Sequence, residues 1–214
     1  METIVLDLPK NTTLGEFQLR NGHYITFDEY LEMNIEGVYL EWVDGIVIGF
    51  MANNLQHQEI IGFLLMTMKL FAETHDAGRV VQAGYAMKLE KLKRGREPDL
   101  VFVSKAHRKM LKHKYLDGAA DIAVEIVSPE STVRDREIKF KEYEKAGISE
   151  YWLIDPQEKR ADFYRLNEKD IYQAVNLKNE NFQSLSLNGF SLRVEWLWQE
   201  PPPTLAALKE LNLI

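Results

Sequence analysis

The sequence predicts a mixed α/β fold in which helices cover both faces of a central sheet. An amphipathic helix, three strand-like runs, a second helix and a further strand follow one another along the middle of the chain. Strands that alternate with helices are typical of a sheet that is covered on both faces. Residues 121–127 are apolar at almost every position, as in a strand buried on both sides. We expect a core of helix, three strands, helix and strand, with additional β-hairpins at both ends.

Composition narrows the class of protein. Of the 214 residues, 45% are hydrophobic and 11% are aromatic, which suits a folded domain and excludes a disordered chain. No cysteine is present, so disulfide scaffolds and cysteine zinc sites are excluded and a reducing compartment is favoured. We expect a cytoplasmic protein without a signal peptide or a membrane span. Its expected parts are an N-terminal arm (1–23), one domain (24–200) and a tail with a short helix (201–214).

Local signals in the first half of the chain predict a short helix, a hairpin and a long helix. Thr26 and Glu29 have the spacing of a capping box. The dipeptide Asp44-Gly45 lies inside an aromatic and β-branched stretch, which predicts a two-residue hairpin turn. A helical period of apolar residues follows, and we expect that helix to end at Gly78.

The second half alternates between strands and helices. The predicted elements are strands at 79–89, 98–103 and 121–127, a short helix or loop at 105–114, a helix from Ser131 or Thr132 to Gly147, a strand at 151–154, a hairpin at 161–166 and 171–175, and a C-terminal helix after Pro203.

Two carboxylates do not fit the apolar pattern of their strands. Glu125 lies in the most apolar strand, where an ionised carboxylate is costly unless it is paired or bound to a metal. Asp99 follows Pro98 at the start of another apolar strand. If the two strands are neighbours, the carboxylates repel each other unless a cation or a proton intervenes. Oxygen ligands without cysteine favour magnesium, manganese or calcium. The structural alternatives are a buried salt bridge for Glu125 and a turn role for Asp99.

A lysine on the second long helix is the third candidate. At about 100° per residue, Phe140 and Tyr143 mark the helix face that meets the sheet. Lys139 lies beside that face, whereas Lys141 points away from it. A lysine that points inward can offset negative charge that develops on a phosphate. The alternative is an ion pair with Asp135, four residues earlier on the same helix, which would contribute only a few tenths of a kcal/mol.

Two further residues are candidates for the cleft that the two carboxylates and Lys139 are expected to line. His57 lies on the apolar face in the first turn of its helix, where a hydrogen-bonded core histidine is the alternative. Glu41 stands just before the predicted hairpin turn and is expected to point toward the cleft. Signatures of serine nucleophiles, phosphate-binding loops and dinucleotide sites are absent from the sequence.

Charge is distributed unevenly along the chain. The net charge is −7, but residues 88–114 contain ten basic and three acidic residues, which makes this segment +7 and the remainder −14. Such a segment is either a solvated surface or a contact for nucleic-acid phosphates. The candidate phosphate contacts are Arg94, Arg96, Arg108 and Lys112.

Pro98-Asp99, then Glu125, then a lysine, resemble the active site of the PD-(D/E)XK nuclease superfamily. More narrowly, several segments are similar to the Uma-type family of restriction-endonuclease-like proteins, formerly a domain of unknown function. These segments are LEWVDGIVIGF, HQEIIGFLL, EPDLVFVS, VEIVSPEST and DREIKFKEYEKAGISEYWLIDP. The superfamily lysine usually stands two residues after the glutamate, where this chain has Val127; the resemblance to the Uma-type family places it at Lys139.

The resemblance implies a restriction-endonuclease-like fold and a metal-dependent phosphodiesterase that hydrolyses DNA. Asp99, Glu125 and the backbone carbonyl of Ile126 would hold Mg²⁺ or Mn²⁺, and Lys139 would complete the catalytic set. His57 and Glu41 would support them from outside. DNA is the expected partner, and a homodimer is the simplest way to cut both strands of a duplex. The alternatives are a catalytically silent module that binds nucleic acid or protein, and a hydrolase that acts on RNA or nucleotides.

Overall fold

The structure is a computed structural model that describes residues 17–19, 24–33, 38–51 and 54–214. The expected N-terminal arm therefore lies outside the described residues, except for 17–19, which form a strand. The described strands are β1 (Phe17–Leu19), β2 (Val38–Val43), β3 (Ile46–Met51), β4 (Gly78–Gln82), β5 (Ala86–Leu89), β6 (Arg94–Arg96), β7 (Leu100–Ser104), β8 (Tyr115–Asp117), β9 (Ile122–Ile126), β10 (Glu150–Asp155), β11 (Arg160–Leu166), β12 (Tyr172–Ala174), β13 (Asn181–Gln183) and β14 (Ser191–Arg193). The α-helices are α1 (Phe27–Leu31), α2 (Leu55–Thr74), α3 (Phe140–Ala146) and α4 (Thr204–Glu210). Other helical segments are a π-helical turn (Arg134–Lys139) and the 3₁₀ segments Glu90–Leu92, Lys105–Met110 and Val194–Trp198.

The strands form two larger sheets and a small hairpin. The first sheet has the order β1-β3-β2-β6-β5-β8, the central sheet has the order β12-β11-β10-β9-β7-β4, and β13 pairs with β14. Within the central sheet, β9 runs parallel to β10 and antiparallel to β7. The predicted core order is confirmed by α2, β4, β7, β9, α3 and β10, and hairpins flank it at both ends.

The central strand β9 separates two apolar cores. Val124 packs in the cluster that includes the buried residues of α2. Ala123 and Val127 pack on the opposite face, together with Tyr143 of α3 and buried residues of the first sheet. Because successive side chains of a strand alternate between faces, Glu125 belongs to the face that α3 covers. The Glu125 side chain therefore lies in the layer between α3 and the first sheet.

Three predicted local signals are confirmed. The Thr26 backbone N–H donates to Glu29 Oε2 at 2.7 Å, as a capping box requires. Asp44 and Gly45 have φ angles of 49° and 85°, the left-handed pair that a two-residue hairpin needs. Gly147 ends α3 with a φ of 85°.

Two predicted boundaries are wrong. The run 79–89 is not one strand, because the chain leaves the central sheet after β4, passes through Gly84 at a φ of 89° and enters the first sheet as β5. Helix α2 ends before Gly78, since Asp76 already takes a left-handed φ of 47°. Gly78 begins β4 instead, where any side chain would collide with the backbone carbonyl of Val103.

The C-terminal segment packs onto the core. Ala207 of α4 and Leu211 just after it are buried in the same apolar cluster as α2. Across the ranges that the structure describes, no helix combines the length and the apolar content needed to span a bilayer.

Candidate active site

The central sheet places the two predicted carboxylates side by side. The register pairs Leu100 of β7 with Val124 of β9. Because the strands are antiparallel, Asp99, which precedes Leu100, lies opposite Glu125, which follows Val124. Side chains that are opposite in an antiparallel pair share a face. The Asp99 carboxylate also accepts the backbone N–H of Ile126 at 2.7 Å, which fixes it against the end of β9. The predicted neighbourhood of the two strands is confirmed.

Glu125 is bound from the side of α3. Its Oε1 accepts from Lys139 Nζ at 2.9 Å and from the Tyr143 hydroxyl at 2.6 Å. Burial raises the pKa of Glu125 to about 8, despite the opposing effect of Lys139, and the carboxylates of Asp135 and Asp99 add to the rise. Burial and the neighbouring carboxylates therefore favour a protonated Glu125 near neutral pH in the metal-free protein.

Lys139 points into the protein, as the helical face predicted. It is 3% exposed, whereas Lys141 is exposed to solvent. The local helix differs from the expected one, because Lys139 ends the π-helical turn Arg134–Lys139 that precedes α3. Such wide turns occur frequently at functional sites.

The Lys139 ammonium lies among three carboxylates. Its Nζ is 2.9 Å from Glu125 Oε1, 3.0 Å from Glu41 Oε1 and 3.6 Å from Asp135 Oδ1. The contact with Asp135, offered above as the structural alternative, is present but is the longest of the three. Burial lowers the pKa of Lys139, but the three carboxylates outweigh burial and raise it above its usual value. Lys139 therefore stays protonated and acts as a cation rather than as a base.

Glu41 lies in the same cluster, as predicted. It is 2% exposed, and its second oxygen, Oε2, accepts from Arg96 Nη1 at 2.7 Å. Burial raises the pKa of Glu41, but Lys139, Arg96 and Arg134 reverse the effect and hold it at about 2. Glu41 is therefore ionised at every physiological pH.

His57 brings the first turn of α2 to the cleft. Its Nε2 lies 3.1 Å from Asp99 Oδ1. The Asn54 side chain caps this helix and accepts the backbone N–H of His57 at 2.9 Å. Asp99 is thus held from two sides, by β9 through Ile126 and by α2 through His57.

A cavity of about 60 Å³ opens over these residues, which is enough for a cation and a few waters. Its described lining is rich in charge. The charged residues and the histidine that line it are Glu41, Glu97, Asp99, Glu125, Asp135, Arg134, Lys139 and His57. Burial raises the pKa of Glu97 to about 7, partly opposed by a hydrogen bond from Tyr30. Acids outnumber bases in this lining, and burial favours the protonated forms of Glu97 and Glu125 near neutral pH.

The chemistry of the predicted donors fits a magnesium-like ion. Asp99, Glu125 and the carbonyl of Ile126 would offer only oxygen ligands, and Mg²⁺ typically takes one or two carboxylates and keeps several waters. Within the described ranges, no three His, Asp or Glu side chains converge into a complete metal cage. A metal ion held by the three predicted donors would therefore need water molecules to complete its coordination shell.

The structure corrects the prediction that Arg96 contacts phosphate. Arg96 is 2% exposed, and its guanidinium binds Glu41 and Glu142. Arg94 is paired as well, with Glu142 at 2.6 Å and Asp44 at 2.7 Å. Their position in a basic segment predicts that both arginines contact phosphate at the surface. Both are instead paired with acids that are distant in sequence.

The other two basic candidates lie on the surface. Arg108 is exposed on the 3₁₀ segment Lys105–Met110 and Lys112 is exposed just after it. This segment begins directly after Ser104, the last residue of β7, whereas Asp99 lies just before the first. The two ends of the strand are about 17 Å apart.

Sequence analysis missed three side chains of the cluster. Tyr143 was assigned only to packing, although its place four residues after Lys139 puts both on one helix face. Glu97 directly precedes the Pro98-Asp99 dipeptide, and its adjacency was a usable signal. The sequence indicates Asp135 only as an i,i+4 partner of Lys139, because a helical pattern does not reveal that both members of the pair are buried.

Comparison with known proteins identifies the family. A family model described as "Uma2: Putative restriction endonuclease" matches residues 27–195. The chain belongs to this family. Membership confirms the resemblance drawn from the sequence segments and places the protein among restriction-endonuclease-like proteins. No curated protein matches the chain.

A solved structure supports the fold of this Uma2 family member. The crystal structure of a protein from Anabaena variabilis ATCC 29413, described as "a putative nuclease belonging to DUF820", aligns with a TM-score of 0.68 and 18% identity. The alignment covers 81% of this chain and 97% of that chain. The shared fold confirms the predicted fold class.

Proposed function

We propose that this Uma2 family member is a divalent-metal-dependent endonuclease that hydrolyses phosphodiester bonds of DNA. The observation that carries the proposal is the cross-strand pair Asp99 and Glu125 with the buried Lys139 ammonium 2.9 Å from Glu125. Two carboxylates and one buried cation beside a small cavity rich in acids suit the hydrolysis of a phosphodiester better than simple binding, since a silent module gains nothing from burying these groups together.

In this proposal each residue has a distinct task. Asp99, Glu125 and the Ile126 carbonyl would hold Mg²⁺ or Mn²⁺. A divalent cation bound there supplies polarisation of a phosphate oxygen and a lowered pKa for a bound water. Lys139, which stays protonated, donates hydrogen bonds beside the negative charge that develops in the transition state. His57 keeps the Asp99 carboxylate in its orientation.

The first test measures binding of the metal alone. Mn²⁺ or Mg²⁺ is expected to raise the melting temperature, because a ligand of the native state stabilises it by about 2.7 kcal/mol at 100 times its dissociation constant. Asp99→Asn should abolish the shift. Asp117→Asn is the matched control, since Asp117 is exposed on β8 and does not line the cavity. An unchanged shift in Asp99→Asn would mean that the metal binds elsewhere.

The metal-induced shift should depend on pH in a defined direction. Glu125, with a pKa of about 8, is mostly protonated at pH 7 in the metal-free protein. Its raised pKa stabilises the metal-free fold most below about pH 4.5, and that contribution is lost as the pH rises through 8. Because a cation must displace this proton, its stabilising effect should grow between pH 6.5 and 8.5. A shift that is constant over this range would exclude Glu125 as a ligand.

DNA binding should weaken steeply with salt through the exposed basic segment. Replacing Arg108 and Lys112 by glutamine is expected to reduce the slope of log affinity against log salt by up to about 1.8, or about 0.9 for each phosphate that is no longer neutralised. Lys169→Gln with Lys178→Gln is the matched control, because both lysines are exposed near the opposite edge of the central sheet. Equal slopes for the two double variants would show that the segment is only a solvated surface.

Plasmid DNA also tests the proposed dimer and the substrate. A linear product that forms without a nicked intermediate requires two sites acting together, as in a symmetric dimer. Cleavage of RNA but not DNA in the same assay would favour the RNA-directed hydrolase. Absence of metal binding together with inactivity on both would favour the silent module.

A further inference from the structure

We propose that Arg96 is a positioning residue for Lys139 and that it acts through Glu41 and Glu142. Its catalytic consequence rests on the proposed nuclease function. The placement of the Lys139 ammonium, however, can be measured without any cleavage assay.

Four charged side chains form a closed circuit between α3 and the first sheet. Lys139 Nζ lies 3.0 Å from Glu41 Oε1, and Glu41 Oε2 accepts from Arg96 Nη1 at 2.7 Å. Arg96 then donates from Nε and Nη2 to the two oxygens of Glu142, at 2.8 and 3.0 Å. Glu142 lies three residues after Lys139 on the same helical stretch. The backbone between these two residues therefore closes the circuit.

Strand pairing sets the middle of this circuit. The β2–β6 register pairs Trp42 with Gly95, so Glu41 and Arg96 face each other one residue further on. Both side chains are about 2% exposed. Their contact is therefore fixed by backbone geometry and shielded from water, unlike a surface pair.

Lys139 needs such support because an ammonium on a four-carbon stem is flexible. Glu41 and Glu125 bind the ammonium at 3.0 and 2.9 Å, so the orientation of Glu41 influences where the ammonium rests. The two parallel bonds between Arg96 and Glu142 resist rotation of the guanidinium. Without Arg96, Glu41 Oε2 loses its partner, and the carboxylate, still held at Oε1 by Lys139 and by the Glu97 backbone N–H, can turn about that oxygen.

Arg94 provides a matched control inside the same network. It donates from Nε to Glu142 Oε1 at 2.6 Å and pairs with Asp44 at 2.7 Å. Among the contacts of the described residues, it forms no ion pair with Glu41. Replacing Arg94 also removes one positive charge beside Glu142. It leaves intact the contacts that connect Arg96 through Glu41 to Lys139.

The decisive measurement is the NMR signal of the Lys139 ammonium, assigned by its loss in Lys139→Met. A buried, hydrogen-bonded ammonium exchanges slowly and gives a resolved nitrogen–hydrogen correlation. Arg96→Met is expected to shift or broaden this signal, and Arg94→Met is expected to leave it in place. An unmoved signal in Arg96→Met overturns the proposal.

Cleavage kinetics test the consequence. In single-turnover assays at equal folded concentration, Arg96→Met should lower the maximal rate by about 10- to 100-fold, the usual effect of removing a supporting partner, with unchanged DNA affinity. In a Lys139→Met background the same change should have no further effect on the rate. An equal loss in that background would assign Arg96 a purely structural role and overturn the proposal.

A milder variant covers the case in which Arg96→Met does not fold. Arg96→Lys keeps a cation near Glu41 but cannot reproduce the bidentate contact with Glu142, so a smaller change of the same ammonium signal is expected. A wild-type protein that cleaves no DNA would count against the proposed function. The ammonium signal would still decide whether Arg96 places Lys139.

Discussion

Replacing Lys139 by methionine is expected to lower the rate of DNA cleavage by about 10² to 10³, the range for losing one preorganised donor. Methionine keeps an unbranched side chain of similar length, so the substitution mainly removes the charge. Glu41 retains Arg96 as a partner, and Glu125 can accept a proton, since its pKa is already about 8. The measurement is single-turnover cleavage of supercoiled plasmid with manganese.

Lys141→Met is the control for this experiment. Lys141 lies two residues further on and is exposed, so any effect of bulk positive charge on DNA should be the same for both variants. Its cleavage rate should equal that of the wild type. DNA affinity, measured with calcium in place of manganese, should change in neither variant. Equal losses in the two variants, or no loss in Lys139→Met, would contradict the assigned role.

The geometry of the carboxylate pair was predictable because it depends on short-range patterns. An apolar strand with one acid at its centre, and a second strand that begins with Pro98-Asp99, require only that the two strands be neighbours. Once they pair, alternation of side chains places Asp99 and Glu125 on one face. The inward direction of Lys139 followed from its angular position beside the helix face that Phe140 and Tyr143 mark, and the π-helical turn did not reverse it.

The fate of the arginines was not predictable, because their partners are distant in sequence. Arg96 pairs with Glu41 across 55 residues and with Glu142 across 46. The three-residue strand β6 that carries Arg96 exists only through its pairing with β2 and β5. Charge counts along the chain treat every arginine as solvated, so they place a buried arginine on the surface. The same limitation explains why the sequence predicts one strand over 79–89, although the chain divides this run between two sheets. Local composition does not show which sheet a strand joins.

Glu41→Met is expected to lower the free energy of unfolding by about 3–5 kcal/mol, the cost of removing one partner of a buried ion pair. The substitution leaves Arg96 and Lys139 buried with one anion fewer. Urea unfolding of the metal-free protein at pH 7 measures the loss. The pKa of Glu41 is held at about 2, so its stabilising effect is complete above about pH 4.5 and is lost as the pH falls toward 2. The difference between wild type and variant should shrink over that range.

Two further variants show whether burial causes this effect. Glu90→Gln removes an acid that pairs with Lys88 at the surface, where the Glu90 side chain is 73% exposed, and should cost less than about 1 kcal/mol. The double variant Glu41→Met, Arg96→Met should be more stable than the sum of the single losses predicts, because it removes both partners and leaves neither charge unpaired. Strict additivity, or a loss for Glu41→Met no larger than for Glu90→Gln, would mean that water reaches Glu41 and that the circuit around Lys139 is not closed in solution.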